Sequence, residues 1–144
     1  MLSIATWNLK FNSAPSRTLS YLDHARWDVA CLQEVSISAS AWLCQREGWT
    51  VIDGLKLTAQ QPTAGKRPHA AAIVARNGWR LESPGVVADT PTPGRGVSGV
   101  ARRDDDVLSV ISWHAPNAAG EGVRTKMAGY RAPLSRQSPA PLGR

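Results

Sequence analysis

Residues 2–10 read LSIATWNLK, an apolar run of strand length that ends in Trp7 and Asn8. A strand needs no asparagine at its exit, although an amide there can close a turn on neighbouring backbone groups. A second apolar run with a polar exit lies downstream, beyond a helical segment. SRTLSYLDHAR, residues 16–26, places Leu19, Leu22 and Ala25 at helical spacing, with Ser16 suited to an N-cap. WDVACLQEV, residues 27–35, is a compact apolar run that closes on Gln33 and Glu34, and it suits a strand buried on both faces. The order is strand, helix, strand.

Beyond this unit, ASAWLCQREG, residues 39–48, predicts a helix stopped by Gly48, and WTVID returns as a strand. Residues 54–68 carry Gly and Pro punctuation and are expected as an exposed loop. HAAAIVAR, GWRLES, GVSGVARR and VLSVISWHA then read as four short strands, with RRDDD at 102–106 as a solvated hairpin tip rather than a metal site. From Pro133 the pattern dissolves into PLSRQSPAPLGR, so a domain is expected over 1–132 and a disordered tail over 133–144.

A chain of 144 residues has room for one domain with a proper core. Its net charge of +6 is uneven: residues 1–60 balance five basic with five acidic side chains, while residues 115–144 carry five basic and one acidic. A basic surface attracts polyanions, but Arg-rich composition alone also raises the charge, so partner class stays open on this ground. Cys31 and Cys44 read as small core residues, and no CxxC pair or clustered His and Cys set suggests zinc. No leader pattern is present at the N-terminus and no run approaches the roughly 20 apolar residues of a membrane span, which makes the cytoplasm the expected location. Oligomeric state is not legible.

Asn8, Glu34 and His114 each stand at the C-terminal end of an expected strand, and adjacent strands would bring them together. A hard divalent cation takes carboxylate oxygen and keeps waters and substrate phosphate, a role open to Glu34. Asn8 could hold that carboxylate without adding charge, and His114 could donate to a phosphoryl oxygen. The plainer readings are a solvated strand end for Glu34 and a satisfied structural ring for His114. The residues by themselves leave both open.

TWNLK and, about twenty-five residues later, VACLQEV together resemble the endonuclease/exonuclease/phosphatase family, the fold shared by deoxyribonuclease I and apurinic endonucleases. HAAAIVAR is similar to its central strand ending in arginine, and LSVISWHAPN to its strand ending in histidine. The resemblance covers residues 2 to about 130. It implies an α+β fold, the N-terminal half of a four-layer α/β sandwich, with one mixed sheet and flanking helices. It also implies that Glu34 binds Mg2+ or Mn2+, that Asn8 and His114 are the catalytic asparagine and histidine, and that Arg76 steadies substrate phosphate. The substrate would be a phosphoester, nucleic acid among the candidates. His69 would precede the central strand near the substrate groove, while His24 is read as structural.

The family's second half brings a Gly-Asp-x-Asn segment and a terminal Ser-Asp-His, and neither occurs in this sequence. EGVRTKMAGYRA, residues 121–132, still looks like the approach to the helix before that half. A truncated enzyme, inactive alone and with the inner face of its sheet uncovered, is therefore expected. A non-catalytic basic module that binds nucleic acid or protein is the alternative, and a product without selected function is a third.

Overall fold

The computed structural model describes residues 1–10, 16–59, 68–88 and 93–114. In chain order they form β1 (Ile4–Asn8), α1 (Ser16–His24), β2 (Val29–Ser36), α2 (Ile37–Cys44), β3 (Thr50–Asp53), α3 (Gly54–Leu57), β4 (His69–Ala75), β5 (Arg80–Val86), β6 (Gly96–Arg103) and β7 (Asp106–Trp113). The segment read at 121–132 and the tail read from Pro133 lie outside the described residues.

Both limits of α2 and one loop differ from expectation, each for a local reason. The Ser36 hydroxyl accepts from the Ala39 N–H and starts α2 earlier than expected. That helix ends at Cys44, and Gly48, with φ of 74°, serves instead in the turn toward β3. In the expected loop after residue 53, the buried Asp53 carboxylate accepts from the Leu55 N–H at 2.9 Å and nucleates the single turn of α3. Cys44 is exposed, not a core residue, and its sulfur accepts from Lys56 Nζ at 3.1 Å.

The first sheet is mixed, in the order β1-β2-β4-β3, with β1 parallel to β2 and the other pairs antiparallel. Helices α1 and α2 lie on one face of it: Leu19, Leu22, Ala39 and Leu43 pack with Ala30, Leu32, Val35 and Val74. On the other face the chain supplies a second sheet, β5-β6-β7, all antiparallel. Val29, Ile52 and Ile73 of the first sheet meet Val97, Ala101 and Val110 of the second in a separate core. The expected uncovered inner face is therefore corrected. A single half of the sandwich supplies strands to both sheets, so Val29 and Ile73 are fully buried without any further partner.

The sheets approach closely where a glycine allows it. A Cβ at Gly99 of β6 would collide with Cδ1 of Ile52 on β3. Burial on both faces explains why β2 and β4 read as continuous apolar runs rather than alternating ones.

Ile73→Ala tests this second core. Truncation at a fully buried site should cost about 2–5 kcal/mol in chemical denaturation. A loss below about 0.5 kcal/mol, the range of surface substitutions, would mean that the face is open.

Candidate active site

Three of the side chains singled out in the sequence converge on one oxygen. Glu34 Oε1 accepts from Asn8 Nδ2 at 3.2 Å and lies 3.2 Å from His114 Nε2. The Glu34 and His114 side chains are 14% and 19% exposed, so the pair is largely buried yet still reaches solvent.

Each of the three is aimed by its own backbone. Strands β1 and β2 run parallel to the pair Asn8↔Gln33, and the Leu9 N–H continues to Gln33 O. Asn8 Oδ1 then accepts from the Lys10 N–H at 2.8 Å, and Lys10 has φ of 52°. The amide thus closes a turn with its oxygen and presents its nitrogen to Glu34, so both readings of the strand exit hold at once.

Glu34 sits where the β2–β4 register shifts between Leu32 and Val35, and its own φ is 52°. A left-handed glutamate inside a strand is strained by about 1–3 kcal/mol and persists only where its surroundings enforce it. Here the bulge turns the carboxylate out of the sheet. His114 comes directly after the last residue of β7, and its N–H donates to Arg95 O at 2.8 Å.

Burial pushes the His114 imidazole below its ordinary 6.5; the charges of Arg95 and His69 push the same way, and Glu34 offsets part of it. A neutral ring that faces a carboxylate through Nε2 carries its proton there. Nδ1 is then left as an acceptor, and it has no hydrogen-bond partner among the described residues.

Arg76 is not part of this cluster, and its expected place beside substrate phosphate is corrected. Strand β4 runs antiparallel to β2, so Ala75 pairs with Val29 and the C-terminal end of β4 lies at the opposite end of the sheet. The guanidinium there donates to Trp27 O at 2.9 Å, to Asp23 O at 3.0 Å and to Ala25 O, and stacks over the Trp27 ring at 4.0 Å. It secures the C-terminal end of α1. His24, read as structural, lies with Nδ1 2.6 Å from Ser20 O of the same helix.

The same antiparallel geometry brings in residues that precede strands. His69 opens β4 opposite Ser36, and Arg95 stands before β6, whose Gly96 pairs with Trp113. Both lie near enough for their charges to lower the pKa of His114. Arg95 was not singled out from the sequence. Its signal is an arginine between Gly94, with φ of 78°, and Gly96 at the start of a strand that pairs with the histidine strand.

The donor set can be judged on its chemistry. Glu34 offers one carboxylate, and among the described residues no group of three His, Cys, Asp or Glu side chains could hold a metal. One hard carboxylate fits a magnesium site completed by waters and substrate phosphate, and it does not fit a zinc cage.

No protein-family model matches the sequence, and no curated protein matches it. Solved structures do. The fold is similar to that of D. rerio TDP2 (tyrosyl-DNA phosphodiesterase 2) humanised by 14 mutations, with TM-score 0.68 and 17% identity over 96% of this chain. It is likewise similar to D. rerio TDP2 complexed with a single-strand DNA product, with TM-score 0.64 and 18% identity over 96% of this chain. The chain has the deoxyribonuclease I-like fold. It spans 57% and 56% of the lengths of those two chains. Within that fold, the helices, the mixed sheet and the second sheet are three successive layers, and the Asn8–Glu34–His114 cluster lies at one end of the two sheets.

The site gives stability a pH dependence. Because folding lowers the pKa of His114, its contribution is complete above the unfolded value of about 6.5 and is lost as pH falls through the lower folded value. Thermal midpoints should fall between about pH 7.5 and 5, and His114→Gln should flatten that slope. Equal slopes in the two proteins would show that the ring is not held neutral by burial.

Proposed function

We propose that this chain carries the N-terminal part of a divalent-metal-dependent phosphodiesterase site that acts on nucleic acid. The observation that carries this reading is the left-handed Glu34, whose Oε1 is shared by Asn8 and His114. A solvated strand end would need neither the strained backbone nor two donors on one oxygen.

In this reading Glu34 holds Mg2+ or Mn2+, which when bound offsets negative charge developing on the phosphoryl group. Asn8 fixes the rotamer of Glu34, and the Lys10 N–H fixes Asn8. In this reading the Nε2 proton of His114, directed at Glu34 Oε1 in the structure, turns to a phosphoryl oxygen placed beside that carboxylate. The Arg95 guanidinium supplies a fixed positive charge near His114, suited to a phosphate oxygen. Support for a nucleic-acid substrate comes from the structural neighbour complexed with a single-strand DNA product.

The sequence holds neither a Gly-Asp-x-Asn segment nor a Ser-Asp-His segment. In the family that the sequence resembles those segments orient the attacking water, so in this reading the 144-residue chain alone is expected to be inactive. Two measurements check it. Mn2+ should bind the wild-type chain in paramagnetic titrations, and Glu34→Gln should abolish that binding; equal binding by both would remove Glu34 from the site. In a chain extended through both missing motifs, single-stranded DNA should be hydrolysed, with His114→Ala slower by about 10²-fold or more. Salt-sensitive DNA binding without metal or turnover would instead mark a non-catalytic basic module.

A further inference from the structure

We propose that Ser112 is a positioning residue, whose hydroxyl forms with the Gln33 amide a hydrogen-bonded seam that sets the spacing of Glu34 and His114 across the two sheets. This rests on the proposed metal and phosphate site and extends it to residues outside the cluster.

Glu34 belongs to the mixed sheet, whereas His114 adjoins a strand of the other. Strands within a sheet are held in register by backbone ladders, but facing sheets stand about 10 Å apart and meet through apolar contacts with no directional preference. Apolar packing alone would leave the two site residues free to slide. A polar seam crosses the gap at this end. Ser112 Oγ donates to Leu32 O at 3.0 Å, and Gln33 Nε2 lies 3.4 Å from Ser112 Oγ. The same amide nitrogen reaches Thr6 Oγ1 at 3.3 Å and Cys31 O at 3.1 Å.

Three features separate this seam from ordinary core polarity. Ser112 is 1% exposed, on the face of β7 that carries Leu108 and Val110 into the apolar core. A buried hydroxyl there costs free energy unless it is bonded. Its acceptor, Leu32, is the last β2 residue in register with β4 before the bulge that aims Glu34. Each member also lies next to a site residue: Thr6 is two before Asn8, Gln33 adjoins Glu34, and Ser112 is two before His114. Displacing the seam displaces the strand exits that carry the cluster.

The test uses the whole chain with an isosteric pair, Ser112→Thr, which keeps the hydroxyl, and Ser112→Val, which replaces it with a methyl. Nitrogen-15 spectra of the His114 ring report the Nε2 proton bonded to Glu34, and Mn2+ titration reports the carboxylate. Ser112→Val should lose the bonded-proton signature and weaken Mn2+ binding by about tenfold or more, whereas Ser112→Thr should keep both. Identical behaviour of the two variants overturns the proposal, whatever their thermal midpoints. Should the added methyl prevent folding, Ser112→Ala removes the hydroxyl without added bulk, and an unchanged His114 signature in that variant overturns it equally. A wild-type chain that binds no Mn2+ defeats the metal reading but leaves the ring signature to decide the seam. A wild-type ring without the bonded proton defeats the seam itself.

Discussion

A strand buried on both faces cannot present a carboxylate without breaking its own ladder. Strand β2 lies between a helical layer and a second sheet, with Val29, Ala30, Leu32 and Val35 fully buried. A charge placed on either face would be desolvated at a cost of several kcal/mol. The chain resolves this at the end of the strand. A bulge releases Gln33 and Glu34 from pairing with β4, and the left-handed backbone at Glu34 directs the carboxylate to Asn8 and His114. The strain is local, while the packing that enforces it is spread through both cores.

That constraint also divides the molecule into two ends. At one, polar side chains from β1, β2 and β7 meet with residues that open β4 and precede β6. At the other, rings and guanidinium groups close the helical layer. Arg76 lies over Trp27, Trp27 meets Trp49 edge to face at 5.0 Å, Trp49 meets Trp42 at 5.8 Å, and Arg46 lies over Trp42 at 3.8 Å. This end has the character of a structural clamp. Arginine serves both ends, and its neighbours rather than its type separate the roles: three carbonyls around Arg76, a titratable histidine near Arg95.

The deoxyribonuclease I-like architecture makes this division useful. A site assembled from the exits of strands in two sheets can bring together groups that no single sheet edge could hold, here a carboxylate on β2 and an imidazole after β7. It also makes the site sensitive to the relative placement of the sheets, which apolar packing sets only coarsely. Directional contacts such as Ser112 to Leu32 supply the finer adjustment.

By itself the sequence determined the strands and the first two helices, because apolar periodicity and turn residues are local signals, whereas the single turn of α3 was read as loop. It also marked Asn8, Glu34 and His114, because a polar group at the exit of an apolar strand is visible in one dimension. Tertiary structure alone decided three further matters. The second sheet and its core depend on pairings between residues far apart in the chain, so the expectation of an uncovered inner face could not be tested by periodicity. Strand direction decided which end of the sheet each residue occupies. Arg76 shares the motif position of a strand exit with Glu34, yet antiparallel pairing sends it to the opposite end, while His69 and Arg95, which lead into strands, arrive at the site. The left-handed backbone of Glu34 was equally hidden, since no residue type announces it. It arises where burial on both faces forces a charged side chain to leave the ladder, and that force exists only once both layers are in place.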